Sequence, residues 1–423
     1  LRRTLQNAGW LLSGKGVGGL FSLVYLGLAA RSLGLHDFGE FALLLSFGQA
    51  IASLAQFQTA EVVIKFGAPH LAQSRLDRFG RILGYSAALD ALSALACIGL
   101  ALGVAYAFGP LVGVVGADQQ RAALFGASFL FSLRGAPLGV LRVLDRFDIA
   151  ALSETALPAC RLVAALLCYV LSPTIDGFLI AWACAELATT AAMWAASIAL
   201  LSRRYGKIKI TPGLAGVTED NPGVWRFAWF TNLASSVSFL WQHAGTLAVG
   251  WGAGASAAGA YRVAMQIAQS LSKPVVSLSR AAFPELTNIA IRDGGKAAAR
   301  LASKLSLVSG AFGLAAVALV AMTGASLLTL VVGKEFAFAK DLLLLLTIAA
   351  AIEFWGFAQE PAMLAIGRPG AVLAARAGVG VAYCGLLVVL LLRYGAEGAA
   401  IATVIGRLAY RVVMTIMLSR AKS

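Results

Sequence analysis

Long, continuous apolar runs recur along the whole sequence, and they constrain the fold more than any other feature. Runs of at least ~18 residues with few charges are long enough to cross a bilayer as helices. Of the 423 residues, 59% are hydrophobic and 13% are charged, whereas soluble domains carry about 25% charged residues. A soluble protein of this size has no interior large enough to cover so much apolar surface. The runs are continuous rather than alternating, which also excludes a transmembrane β-barrel.

We therefore predict an all-α, polytopic membrane protein with about twelve transmembrane helices, each of ~20 residues. The connecting loops are short, so a large soluble domain has no room. The predicted spans are 9–30, 40–63, 82–108, 122–141, 151–172, 177–200, 225–250, 257–288, 305–332, 341–365, 371–392 and 396–419.

The basic residues predict the orientation. The chain has 34 Lys and Arg, and most fall in the loops and tails on the side of the N-terminus, as the positive-inside rule requires of cytoplasmic segments. We predict a bacterial cytoplasmic membrane protein with both termini in the cytoplasm. The net charge of +14 then reflects topology, and we expect no nucleic-acid partner. The sequence begins at Leu1 rather than Met, so we expect N-terminal residues to be missing.

The sequence lacks the motifs of common enzymes and metal sites. Its five cysteines lie inside apolar runs without C-x-x-C spacing, and its three histidines form no zinc motif. No nucleophile elbow, Walker loop or H-E-x-x-H segment is present. We therefore predict no catalytic residues, no metal site, no cofactor and no direct use of ATP.

An internal repeat divides the predicted spans into two halves of six. Equivalent helices keep the same orientation, so the repeats are parallel, and transporters of this kind rock their halves around a substrate site. We predict an N-terminal lobe at 1–204, a polar cytoplasmic linker at 205–223 and a C-terminal lobe at 224–423. A channel or an assembly scaffold is the alternative. The matched residues are Gly34 with Gly254, Gly39 with Gly259, Phe41 with Tyr261, and Gln49 with Gln269.

Charged residues inside the spans must pair with one another or face water, because an isolated charge in hydrocarbon is costly. Depth in the membrane, at about 1.5 Å per residue, matches four oppositely charged pairs that we interpret as structural. The alternative for Asp90 or Glu186 is proton or cation coupling. The predicted pairs are Asp90 with Arg134, Arg161 with Glu186, Glu353 with Arg407, and Glu360 with Arg376.

Several other cations in the spans have no evident acidic partner, and most lie on predicted helices 1 and 8. Polar residues of helix 8 recur every three or four positions and so share one face. The cations are Lys15, Arg262, Lys273, Arg280 and Arg411, and the helix 8 stripe is Arg262, Gln266, Gln269, Lys273, Ser277 and Arg280.

We predict that this stripe lines a hydrated cavity walled by helices 1, 2, 7 and 8, with Gln49, Gln56 and His243 beside it. Arg binds phosphate oxygens in a bidentate manner and Lys acts as a point charge, so the substrate is expected to be an anion bearing hydroxyl groups. Interhelical hydrogen bonding is the alternative for the Ser and Gln positions. A neutral, hydrogen-bonded imidazole is the alternative for His243.

Three stretches resemble the polysaccharide flippases of the multidrug/oligosaccharidyl-lipid/polysaccharide exporter superfamily. They are ARSLGLHDFG at 30–39, LAVGWGAGASAAGAYRVAMQIAQSLSKPVVSLSRAAFPEL at 247–286 and GAEGAAIATVIGRL at 395–408. The resemblance implies two six-helix lobes around a central cavity. It also implies turnover of undecaprenyl-diphosphate-linked oligosaccharides, the repeat units of O-antigen, capsule or exopolysaccharide. Membrane lipids and the polysaccharide polymerase and chain-length machinery are then the expected partners.

Within this reading, Lys15, Lys273 and Arg280 meet the diphosphate and Arg262 lies further along the path. One departure is visible, because many relatives have an acid in helix 7 where this sequence has Gly245. A cation-coupled multidrug exporter of the same superfamily is the first alternative, and it requires acids in the cavity. A membrane glycan polymerase or ligase is the second, and it requires a larger outer loop than this chain provides.

Overall fold

The computed structural model describes residues 2–420 apart from 110–115, 129–131, 172, 215 and most of 271–293. Side chains at 1–16 and at a few internal helical positions fall outside the described part. Secondary structure in the described part is helical throughout, and the prediction of an all-α, polytopic membrane protein is confirmed. Within the described residues, seven helical segments are long and apolar enough to cross a membrane.

The helices follow one another with short connections. The first part of the chain forms α1 (Arg2–Ala55), α2 (Thr59–Val62), a π-helical turn (Val63–Gly67), α3 (Ala68–Ala72), α4 (Leu76–Phe108), α5 (Ala117–Ala127), α6 (Gly135–Val143), α7 (Phe147–Leu171), α8 (Ile175–Tyr205) and α9 (Val217–Asp220). The second part forms α10 (Val224–Ala253), α11 (255–270), α12 (Gly295–Val332), a 3-10 turn (Lys334–Ala339), α13 (Lys340–Gly356), α14 (Gln359–Ala365) and α15 (Pro369–Arg420).

Two of these helices are too long to be single membrane spans. Helix α1 has 54 residues, which at 1.5 Å each would reach about 80 Å, far beyond a hydrocarbon layer of about 30 Å. Gly34 breaks the helix with φ 75° and ψ −178°, a conformation that glycine tolerates because it has no Cβ. Gly395 breaks the 52 residues of α15 in the same way. The predicted span 9–30 and the part of the predicted span 40–63 up to Ala55 thus form the two arms of α1.

Other predicted spans are interrupted rather than continuous. The span at 40–63 loses helical geometry at 56–58, and the span at 122–141 loses it at 132–134. The span at 341–365 is interrupted by a turn at 357–358, between α13 and α14. Our prediction of continuous helices is wrong here. Interrupted helices expose backbone groups inside a membrane, so they are tolerated where protein or water surrounds them.

The chain separates into two compact units. The first unit contains 1–22 and 44–239, and the second contains 23–43 and 240–423. These units differ from the predicted lobes in two ways. Part of α1 belongs to the second unit, and the predicted linker at 205–223 belongs to the first. The lobes at 1–204 and 224–423 stay a prediction about which segments move together.

In the first unit, the predicted linker is docked onto the start of α4. Asp220 accepts from Arg78 at 3.3 Å and from Arg81 at 2.6 Å. His70 and Asn221 are joined by a hydrogen bond of 2.9 Å, and the ring of Tyr85 packs against Trp225 at 5.4 Å. These contacts hold the segment before α10 against the first turns of α4.

In the second unit, the arm of α1 that follows Gly34 packs closely against the start of α11. Gly39 lies so near the backbone of Ala255 that any Cβ on residue 39 would overlap its carbonyl group. Gly259, the repeat partner of Gly39, lies directly against Gly39 itself. Phe38 adds an edge-to-face contact with Phe336 at 5.6 Å. The two equivalent glycines therefore allow equivalent helices to touch through their backbones, as small residues do in membrane helix pairs.

We expect the Gly39→Ala variant to lose about 1–3 kcal/mol of stability, because the added methyl group meets rigid backbone atoms. The matched control is Gly99→Ala in α4, where nothing lies within 4 Å of the added Cβ. Thermal melting in detergent should show a lower midpoint for Gly39→Ala and an unchanged or slightly higher one for the control. Equal melting of the two variants would contradict the close helix contact.

Candidate functional site

The predicted cavity residues that the structure describes lie on three helices, except for Gln56. Gln49 is a half-buried residue of α1, and Gln56 is half-buried in the interruption that follows α1, both in the first unit. The second unit holds His243 on α10 and the first part of the stripe on α11. The side chain of Lys15 and the residues Lys273 and Arg280 lie outside the described part. The shared cavity stays a prediction.

Helix α11 has one polar face and one buried face. Arg262, Gln266 and Gln269 are half-buried, whereas Tyr261 and Ala264 are fully buried. The polar face therefore remains partly open, and guanidinium and amide groups on it can bind phosphate and hydroxyl oxygens.

Arg262 contacts His243 across the second unit, with 3.4 Å between Nη1 and Nδ1. A guanidinium can only donate, so the imidazole Nδ1 accepts and its proton, when the ring is neutral, sits on Nε2. This contact favours the neutral, hydrogen-bonded interpretation of His243 and places it next to the stripe.

The structure gives a physical reason for the glycine at position 245. A Cβ on Gly245 would lie 2.5 Å from the hydroxyl oxygen of Tyr261. That hydroxyl group is fully buried and contacts Thr403 at 3.0 Å. Tyr261 thus occupies the space that an acidic side chain on α10 would need.

Three of the four predicted ion pairs are in contact in the structure. In the first unit, Glu186 contacts both Arg161 and Arg134, the latter at 3.0 Å. Arg161 also stacks on the ring of Trp182. Glu186, with a side chain 7% exposed, therefore neutralises two guanidinium groups that lie in predicted spans.

In the second unit, Glu353 contacts Arg407 at 3.5 Å, and Arg407 also lies over the ring of Trp241. Glu360 contacts Arg376 at 2.8 Å. Both predicted pairs of the second unit are therefore in contact.

The pairing predicted for Asp90 is wrong. Asp90 accepts a hydrogen bond from the hydroxyl group of Thr59 at 2.5 Å and from the backbone N–H of Ala136 at 3.0 Å. The physical reason is the interruption before α6, since the first N–H groups of a helix need an acceptor. Arg134, the last residue before α6, reaches Glu186 instead.

The ion pair between equivalent helices has opposite polarity in the two halves. Glu186 and Arg407 correspond at an offset of 221, and Arg134 and Glu353 at an offset of 219. The acid thus lies on α8 in the first half, and the base lies on α15 in the second. The repeat therefore keeps the contact between these two helices while exchanging its charges.

Arg411 is a cation of α15 that makes no ion pair with any residue in the described ranges. Its guanidinium lies over the ring of Trp355 at 5.2 Å, and its buried Nη1 has no hydrogen-bond partner there. This agrees with the sequence-based expectation that Arg411 has no acidic partner.

A cavity of about 290 Å³ lies within the first unit, where the two interrupted spans approach Asp90. Sequence analysis found Gln56 but missed the cavity, because the breaks at 56–58 and 132–134 leave no mark in the hydropathy. The polar residues inside otherwise apolar spans were the available signal. The polar lining consists of Gln56, Gln58, Thr59, Asp90, Ser93, Ser132, Arg134 and Ser153.

Comparisons with known proteins agree with this architecture. A family model described as polysaccharide biosynthesis protein matches residues 4–290. The inner membrane protein YghQ of Escherichia coli strain K12 is 28% identical over 347 residues, which cover 81% of this chain and 96% of that protein.

Three solved structures share the fold. The lipid II flippase MurJ in an inward closed conformation has a TM-score of 0.72 at 14% identity, covering 97% of this chain and 87% of that one. An inward-facing multidrug resistance MATE family transporter has a TM-score of 0.66 at 16% identity, covering 97% and 95%. A MOP superfamily transporter from Pyrococcus furiosus, described with a binding pocket of reverse polarity, has a TM-score of 0.60 at 15% identity, covering 99% and 96%.

We expect the Glu186→Gln variant to be strongly destabilised, by about 3–5 kcal/mol, because it leaves two half-buried guanidinium groups without a carboxylate. Glu353→Gln is the matched control, since Glu353 has one arginine contact and its side chain is 44% exposed. Yield of folded protein in detergent extracts and the melting midpoint should fall far more for Glu186→Gln. A larger loss for Glu353→Gln would contradict the assignment.

Proposed function

We propose, from the premise that this chain belongs to the polysaccharide biosynthesis protein family, that it is a flippase for lipid-linked glycans. Its cargo would be undecaprenyl-diphosphate-linked oligosaccharide repeat units, moved from the inner to the outer face of the bacterial cytoplasmic membrane. The glycan would then enter a cell-surface polysaccharide such as O-antigen or exopolysaccharide. Both termini would lie in the cytoplasm.

The arginine contacts of three described intramembrane acids carry this proposal. Glu186, Glu353 and Glu360 contact arginines, and Asp90 accepts hydrogen bonds at the start of α6. A cavity for cationic drugs needs carboxylates that can meet the cargo, because cations bind acids and aromatic faces. The polar face of α11 instead presents Arg262 with two glutamines, which suits phosphate and hydroxyl groups.

The path would begin on the cytoplasmic side, with Lys15, Lys273 and Arg280 meeting the diphosphate and Arg262 further along. Gln49, Gln56, Gln266 and Gln269 would bind sugar hydroxyl groups, and the polyprenyl tail would remain in lipid. A negative interior favours outward movement of anions by about 2.3 kcal/mol per charge at 100 mV. Two charges on the diphosphate would therefore allow the membrane potential to drive the step.

A cation-coupled multidrug exporter is the second candidate, because the MATE transporters share this fold. It predicts that the acids named above release their arginines to meet cationic cargo. The relatives described above as transporters and a flippase offer no support for the polymerase or ligase alternative.

The test is mass spectrometry of lipid extracts from a strain that lacks the gene. We expect a polyprenyl-diphosphate oligosaccharide to accumulate at least tenfold, and the intact gene to restore the normal level. Absence of any such lipid, together with new sensitivity to cationic dyes, would favour the drug exporter and contradict the flippase.

Complementation variants then test the cation face. Arg262→Glu should fail to clear the accumulated lipid, because it reverses the charge beside His243, and the sequence predicts the same for Lys273→Glu. The matched control is Arg393→Glu, an exposed charge reversal near the outer end of a predicted span, which should complement fully. Membrane levels of each variant must be equal for the comparison, and full complementation by Arg262→Glu would contradict the assigned path.

A further inference from the structure

We propose that the cavity beside Asp90 is a binding subsite for one sugar residue of the cargo. The inference deepens the proposed function and rests on it, since it names where the glycan rather than the diphosphate is held. All of the cavity's lining residues belong to the first unit. Gln56, which the sequence predicts along the transport path, is one of these lining residues.

The size of the cavity suits a sugar ring. Its volume of about 290 Å³ is close to the lower end of ligand pockets, which hold about 300–1,000 Å³. The same space equals that of roughly ten water molecules at about 30 Å³ each.

The lining combines hydrogen-bonding groups with apolar surface, as a pyranose ring requires. Ser93, Ser132 and Ser153 contribute hydroxyl groups, and Gln56 and Gln58 contribute amides. Apolar surface comes from three further residues, which can pack against the C–H faces of a ring. They are Phe57, Leu138 and Met193.

The charges favour a neutral, hydroxyl-bearing group over a phosphate. Asp90 supplies a carboxylate that is 7% exposed, and carboxylates accept hydrogen bonds from hydroxyl groups while repelling anions. The cation beside it, Arg134, is held by Glu186 at 3.0 Å. A phosphate in this cavity would therefore meet an unfavourable charge, whereas a sugar hydroxyl would meet an acceptor.

The cavity also lies at a consistent depth. Gln56, Asp90 and Arg134 each lie seven or eight residues from the cytoplasmic end of their predicted spans, or roughly 10–12 Å at 1.5 Å per residue. This places the subsite in the inner half of the membrane, where a headgroup entering from the cytoplasm would meet it. Phe57 is held there by an edge-to-face contact with Trp229 at 5.0 Å.

Photocrosslinking in living cells tests the proposal. Benzoylphenylalanine is placed at Phe57 or at Leu138, both on the cavity wall, and at Phe230 as the matched control, an aromatic residue 56% exposed on the same unit. After irradiation, peptides around each position are analysed by mass spectrometry for sugar-bearing adducts. A second strain, unable to attach the first sugar phosphate to the lipid carrier, gives the background.

We expect sugar-bearing adducts at Phe57 and Leu138 at least tenfold above those at Phe230, and their loss in the second strain. Equal adducts at Phe230, or none at the cavity positions in variants that still clear the lipid, would overturn the subsite. Met193 is substituted in the same way if neither cavity variant clears the lipid. The result is separate from the proposed function, because the lipid extract of the deletion strain shows independently whether glycan is carried.

Discussion

The free energy cost of leaving a charge or a backbone N–H group unpaired in hydrocarbon governs how the helices of this protein are arranged. Glu186 sits between two arginines for this reason, and Arg407 lies against both a carboxylate and an aromatic ring. Asp90 meets the same need for a backbone group, since it accepts a hydrogen bond from the N–H group of Ala136 at the start of α6. The interrupted spans are stable inside a membrane because side chains replace the missing helical hydrogen bonds.

Hydropathy and charge placement were sufficient to predict the fold class, since apolar length and helical rise are local properties of sequence. Matching residues by their expected depth also predicted the pairs Arg161–Glu186 and Arg376–Glu360, because the two residues of each pair lie on neighbouring segments of the chain. It failed for Asp90, since the choice between an arginine and a backbone N–H depends on where a helix breaks. The residues at 132–134 themselves do not predict such a break. The cavity was missed for the same reason.

The fold is shared by transporters with different cargo, so function depends on which polar groups face the path. Here Glu186, Glu353 and Glu360 contact arginines within their own units, while Arg262 and two glutamines occupy the partly exposed face of α11. The first unit adds a cavity with hydroxyl, amide and carboxylate groups. In the proposed function, the cations of the helix 8 stripe would bind the diphosphate, and the glutamines and the cavity of the first unit would bind sugar.

Transport by the purified protein tests the central claim most directly. The protein is reconstituted into liposomes that contain a polyprenyl-diphosphate oligosaccharide with a radiolabelled sugar, and the labelled glycan that impermeant periodate can reach is followed with time. The account predicts that the glycolipid moves between leaflets only when the protein is present. This movement should speed up when the face toward which the glycolipid moves is made positive, and it should stop in the Arg262→Glu variant. Rates equal to those of protein-free liposomes, at full incorporation of folded protein, would contradict it.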